Sequence, residues 1–449
     1  MQRLQQAIPW FDAERSEAAF AAQRADVRGL RVHLVCGVFF CLTLSMPFPM
    51  PDIGLAVLLA ALVIRLPIER GVLRSLAGQF GFLLALAWVV WVAIGALRNG
   101  EAGWRELTHA RWALAIPALW PIIEHRRTLL TWWLAGFALG HATQVVQFVD
   151  QSLVLGINES LGLWERDPQR ISGWWGPVAA GTVLVGVLAA RLGQLGERRS
   201  VAAGIWVAAT IAGIVLTGTR GAWVAALLVG VPGIALLICL AVVRLIRHEH
   251  SSERPLGARA SILGGLLTGV IVAGLITATR PALERIERGK TEVREAFDGN
   301  FDTDTGARLL MGYLAARAAW DNPIIGVGTG GYEAWAEAEA ERLGYDVPAW
   351  RIHAHAHSVV FHIAATHGVI GMLLFFALFV TGFGAGMVKQ PCPASLALLG
   401  IFGAGLFESI VASSAVSAHW WFLLAICPLW RPRHAERSTG ARDEPMDGA

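Results

Sequence analysis

The chain has 449 residues, 55% of them hydrophobic and 16% charged, with a mean hydropathy of +0.52. A soluble chain of this length carries about 25% charged residues, so this composition excludes an ordinary soluble enzyme and indicates a polytopic membrane protein. The formal charge of +3 gives no reason to expect nucleic acid as a partner. Backbone groups in lipid must be satisfied within each segment, which selects the all-α class.

Residues 1–31 are charged and carry Phe11, Phe20 and Val27, as expected of a cytoplasmic interfacial helix rather than a cleavable signal peptide. Apolar runs follow at 32–49, 52–64, 77–97, 109–123, 128–148, 175–190, 201–217, 221–243, 260–279, 357–388, 394–414 and 418–430. Read as transmembrane helices, they make about twelve spans, nine in residues 32–279 and three in 357–430. The tenth run is too long for one crossing.

Arginine in the short loops sets the orientation. With the N-terminus cytoplasmic, the basic residues that fall inside are Arg65, Arg70 and Arg74; Arg126 and Arg127; Arg191, Arg198 and Arg199; and Arg244, Arg247, Arg254 and Arg259. Lys389 and the 431–449 tail, with Arg431 and Arg433, complete the cytoplasmic side. Residues 280–356 become a large outer loop. They read as helices over Pro281–Phe297, Thr305–Trp320 and Tyr332–Leu343, separated by Asp321-Asn322-Pro323 and a Gly326–Gly331 turn. The loop is a folded cap rather than a linker. The five cysteines form no CxxC pair, so neither a disulfide framework nor a thiolate metal site is expected.

Several places could carry chemistry. Thr217-Gly218-Thr219-Arg220-Gly221 precedes the eighth span on the outer side. An arginine at a helix N-terminus, beside free N–H groups, suits an anion such as phosphate; a bland alternative is snorkelling to lipid headgroups. Arg308 opens the second loop helix after Thr305-Gly306-Ala307. Gly328 and Gly330 lie in a GVGTGG turn that lacks the flanks of a nucleotide loop. That turn either lets backbone approach a sugar or diphosphate or is a plain turn. His353, His355 and His357 alternate, and in an extended segment they share a face. Three imidazoles could bind zinc, but no carboxylate or cysteine accompanies them at ligand spacing, so no metal is expected. His357, nearest the membrane entry, suits a proton acceptor beside a bound anion. His362 and His367 read as packing or hydrogen-bonding residues. Glu408, in the eleventh span, is either functional or, with Ser409, Ser413 and Ser414, part of a polar helix interface or of a bent span near the outer surface. His141, Gln144 and Gln147 line one face of the fifth span and would border a polar groove.

TGTRGAW at Thr217–Trp223, the stretch Thr305–Tyr332, and His357-Ser358 followed after nine residues by Gly368-x-x-Gly371 together resemble the O-antigen ligase family. Serine stands at 358 where the family commonly has asparagine. The resemblance implies transfer of O-antigen polysaccharide from undecaprenyl diphosphate to lipid A-core, on the periplasmic face of the Gram-negative inner membrane. It implies that Arg220 and Arg308 are the family's two important arginines and His357 its histidine, with no cofactor. Polymerases and protein O-oligosaccharyltransferases share the superfamily, and a lipid-linked sugar transporter is the alternative from another class.

Overall fold

A computed structural model describes residues 13–153, 156–163, 170–198, 201–233, 280–345, 347–387 and 392–427. The regular secondary structure of the described residues is all helical, with no strand among them. The end of the eighth expected span, the ninth at 260–279, and the 431–449 tail lie outside them.

The N-terminal segment is not one helix. Helix α1 (Ala13–Ala25) ends at Asp26, whose carboxylate caps α2 (Val27–Thr43) by accepting from the Gly29 N–H at 3.1 Å. Helix α1 packs on the protein: Phe20 is buried against Trp120, and the Gln23 amide donates to Glu69 at 2.9 Å. Helix α3 (Met50–Ile64) turns by 105° at Arg65 into α4 (Leu66–Ala77). Arg65 is buried there, paired with Asp26 and Glu69 at 3.1 and 2.8 Å.

After α5 (Phe80–Leu97) and α6 (Gly100–Leu107), the run expected as a span over 109–123 takes another form. It consists of a 3₁₀ turn (Thr108–Leu114), α7 (Ala115–Leu119) and a second 3₁₀ turn (Trp120–His125). Pro117 and Pro121 have no N–H to give to a continuous ladder. Trp112, Ile116, Leu119, Trp120 and Ile122 are nonetheless buried, so this stretch is apolar because it fills the protein's own interior.

Helices α8 (Arg126–Leu153), α9 (Ile157–Ser160), α10 (Pro177–Arg198), α11 (Val201–Leu216) and α12 (Arg220–Gly233) follow. The polar face of α8 is bonded to the returning chain, and Thr143 and Gln144 also line a small cavity there with Ser172 and Trp175. The Gln147 carbonyl oxygen accepts the N–H groups of Ser172 and Gly173 at 2.9 and 2.8 Å. The Gln144 amide donates to Ile171 O and Gly213 O at 3.2 Å each.

The described residues of 280–356 form three helices where helices were expected, α13 (Arg280–Phe297), α14 (Asp304–Asp321) and α15 (Tyr332–Arg342), called the cap below. Its core gathers Leu310, Leu314, Tyr332, Ala336 and Ile352 with Ala365 of the next helix, so the cap is seated on α16 (Val359–Met387). Helix α16 is broken at Gly368 (φ 60°, ψ −162°). The 323–328 segment docks into the break through backbone bonds: Val369 N–H to Pro323 O and Val327 N–H to Ala365 O, both 2.8 Å. A Cβ at Gly368 would collide with the Ile324 carbonyl. Helices α17 (Pro393–Gly405) and α18 (Ser414–Ile426) close the described chain, joined by a non-helical 406–413 segment.

Among the described residues, three helices are long and apolar enough to cross a membrane: Phe80–Leu97, Pro177–Gly196 and Val359–Gly384. The bent pair α3–α4 makes four if it is one span. Helices α11, α12, α17 and α18 are apolar but shorter.

Candidate functional site

The 217–221 turn is shaped from several directions. Gly218 has φ 63°, a conformation glycine adopts without a Cβ penalty. Arg170 braces the turn, donating to Thr217 O at 3.0 Å and to Thr219 Oγ1 at 2.8 Å. Arg285 of α13 reaches Gly218 O at 3.3 Å. The turn delivers Arg220 to the first position of α12. From there its Nη1 donates to Glu292 Oε2 at 2.9 Å and to Thr305 Oγ1 at 2.7 Å, and the Thr305 hydroxyl donates onward to Glu292 at 2.5 Å. Burial pushes the Glu292 carboxyl up, but the hydrogen bonds from Arg220 and Thr305 and the Arg220 charge hold it below its ordinary value. Gly289 lets α13 pass this closely, because a Cβ there would stand 2.9 Å from Arg220 Nη1.

Thr305 lies in the first turn of α14, whose N-cap Thr303 accepts from the Gly306 N–H at 3.0 Å. Arg308 follows one turn later. It is half-buried, and its guanidinium has no hydrogen-bond or ion-pair partner among the described residues. Its charge acts on His353, His357 and Glu408, lowering the pKa of all three. Arg351 ties the histidine segment to the same helix end, donating to Asp302 at 2.9 Å and to Asp304 at 2.7 Å.

The three alternating histidines cluster, with ring centroids 4.4 Å apart for His355 and His357, 5.2 Å for His353 and His357, and 6.4 Å for His353 and His355. His357 has φ 49°, the one positive-φ residue other than glycine among those described. A side chain held in the left-handed region is a form of strain that gathers at functional sites. Its Nδ1 lies 3.1 Å from Glu408 Oε2, while His355 Nε2 lies 3.2 Å from Oε1 of the same carboxylate. Glu408 is 5% exposed and stands in the non-helical 406–413 segment, not inside a spanning helix. Helix α17 stops at Gly405 and frees this stretch to turn towards the histidines.

Burial lowers His357 to about 4, against the hydrogen bond and charge of Glu408, which raise it; the charges of His355 and Arg308 lower it further. Glu408 is pushed up by burial, yet its bond to His357 and the charges of His355, His357 and Arg308 bring it below the ordinary carboxylate range. An ionised carboxylate only accepts, so a neutral His357 ring bonded to it would carry its proton on Nδ1 and leave the Nε2 lone pair free.

A carboxylate does, after all, accompany the histidines: Glu408, which comes from 51 residues beyond His357. Ligand atoms of His355, His357 and Glu408 lie within 4.8 Å of one another, a spacing that could hold a divalent cation. The two imidazole–carboxylate contacts account for that closeness without one, and the Arg308 charge beside them opposes a cation.

Arg220 and Arg308 are joined through the end of α14. A second link runs through Gly221, where a Cβ would stand 2.6 Å from that of Phe407, the neighbour of Glu408. Gly328 and Gly330 do not join this group. The N–H of Gly328 donates to Thr366 O at 2.9 Å and that of Gly330 to Glu106 at 2.5 Å. Added Cβ atoms would meet Asn99 and the backbone at Ala102. The close approach these glycines permit is to the protein's own chain, not to a ligand. His362 is buried and bonded to Glu106 at 3.0 Å, and His367 packs edge-on to Trp88, one a hydrogen-bonding and the other a packing role. Glu292 and Arg170 carried no signal in the sequence, since each sits among ordinary polar residues; Thr305 was visible only as part of the lead-in to Arg308.

Residues 205–376 match the family model described as O-antigen ligase, a stretch that includes Arg220, Arg308 and His357 and stops short of Glu408. A search of curated proteins finds no match.

Proposed function

We propose, starting from this chain's place in the O-antigen ligase family, that this membrane protein is itself a ligase. It would transfer O-antigen polysaccharide from undecaprenyl diphosphate to a sugar hydroxyl of lipid A-core. In this reading the apolar helices cross the Gram-negative inner membrane, both termini are cytoplasmic, and the cap with its site faces the periplasm. No nucleotide sugar is available there, so the donor brings its activation as a lipid diphosphate.

What supports this best is a half-buried Arg308, without a hydrogen-bond or ion-pair partner among the described residues, whose charge acts on the buried His357 ring. As the bond from sugar C1 to the diphosphate oxygen breaks, negative charge grows on the diphosphate. Arg308 and Arg220 would stabilise that charge more in the transition state than before it. Arg220 is shared with Glu292 and Thr305, which aim it. Arg308, without such partners among the described residues, would be free to engage the diphosphate directly. His357 Nε2 would take the proton from the acceptor hydroxyl while that oxygen bonds to C1, inverting the anomeric centre. A bound diphosphate would raise the His357 pKa from its low value towards neutrality, strengthening the base when donor is present.

The test is a transfer assay with purified protein in lipid. Donor plus lipid A-core should yield glycosylated lipid A-core, and donor alone should yield nothing. Chain extension from donor alone would make the protein a polymerase. Absence of any transfer, with donor translocated across the bilayer, would make it a transporter.

A further inference from the structure

We infer that Glu408 is a positioning residue that fixes the tautomer and direction of the His357 ring, leaving Nε2 as the proton acceptor. The inference rests on the proposed role of His357 as the base. It concerns a residue beyond the stretch that matches the family model.

Glu408 is nearly inaccessible, and both its oxygens are engaged, one by each of two imidazoles. Its own backbone turns back on it as well, the Ser409 N–H donating to Oε1 at 3.0 Å. A buried charge is retained only where it is paired and hydrogen-bonded, and here the pairing runs to the ring in the left-handed backbone position. A left-handed His357 does not hold itself in place. Its backbone is strained, and Glu408 is the acceptor that its Nδ1 meets. A carboxylate bonded to Nδ1–H leaves the opposite ring nitrogen basic and correctly aimed. The groups facing the ring are Glu408 from the 406–413 segment, Arg308 from α14, and His353 and His355 from its own segment. Of these only Glu408 raises the basicity of His357.

Two measurements test this on the full-length protein in lipid nanodiscs. In the first, Glu408→Gln and Glu408→Asp are compared with wild type in the transfer assay across pH, with donor affinity measured separately. Glu408→Gln should lower kcat by about a hundredfold, in keeping with the loss of an orienting carboxylate, while donor affinity stays within about twofold. Its acid limb should move to lower pH. Glu408→Asp should recover part of the rate. Unchanged kcat and an unmoved acid limb would overturn the inference. In the second, nitrogen-15 NMR of labelled histidine, with the signal assigned by its loss in His357→Ala, should show the neutral His357 protonated on Nδ1. Protonation on Nε2 would overturn the inference even if the Glu408 variants do not fold. Activity of His357→Ala at the wild-type rate would instead overturn the proposed ligase chemistry. A dead His357→Ala beside a fully active Glu408→Gln would overturn only the role of Glu408.

Discussion

Arg220 donates from Nη1 to the hydroxyl of Thr305 across 2.7 Å, although 85 residues separate the two. Thr305 in turn lies one turn ahead of Arg308 on α14. The contact therefore fixes the spacing of two cations that come from opposite sides of a long stretch of chain. Removing the hydroxyl tests whether that spacing matters. Thr305→Val should weaken donor binding by about fivefold to tenfold, the loss of one hydrogen bond to a charged group, and leave the fold intact. Titration of the purified variant with donor checks it; unchanged affinity would detach Arg220 from the donor site.

Arg308 separates a catalytic cation from a solvated one. Arg308→Ala should reduce kcat/KM by at least about a hundredfold, the scale of losing a charge-assisted contact in a dry site. Arg308→Lys should recover only part, because an ammonium lacks the planar fork that engages two phosphate oxygens. Steady-state transfer kinetics of both variants provide the check.

The pH dependence has a definite sign. His357 is held down at about 4 by burial, so its base form persists well below the range in which an ordinary histidine protonates. The acid limb of kcat/KM, which reports the donor-free enzyme, should lie well below pH 6.5. Arg308 lowers His357, so removing that charge should move the limb upward, opposite to the shift expected for Glu408→Gln. A wild-type limb at or above 6.5 would mean that the titrating base is exposed and is not this ring.

Gly368 gives a structural contrast. With φ 60° and the Ile324 carbonyl where a Cβ would go, Gly368→Ala should destabilise the seating of the cap by about 2 kcal/mol or more. Gly312, in the interior of α14 with nothing within 4 Å of an added Cβ, should instead gain about 0.5–1 kcal/mol as alanine. Thermal unfolding in detergent distinguishes the two.

The helical class, the folded cap and the separate candidates Arg220, Arg308 and His357 are legible from residue type and position along the chain. Arg220 is visible because it opens an apolar helix after a Thr-Gly-Thr turn. The pairings are not visible, since Glu408 meets His357 only once α17 stops and the chain turns back. Hydropathy misleads at 109–123 because it cannot separate residues facing lipid from those buried against protein. It misleads again at Gln144 and Gln147, whose amides are used by the returning backbone at 171–173. The glycines at 328 and 330 suggested a ligand, when the same freedom serves the docking of one chain segment on another.

Transfer by His357→Ala, set beside wild type with matched donor binding, bears most directly on the chemistry. The proposed ligase mechanism predicts that this variant binds the lipid-diphosphate donor within about twofold of wild type while turnover to lipid A-core falls by about 10²–10⁴-fold, the scale of a lost general base. Transfer at the wild-type rate by a folded His357→Ala protein would contradict it.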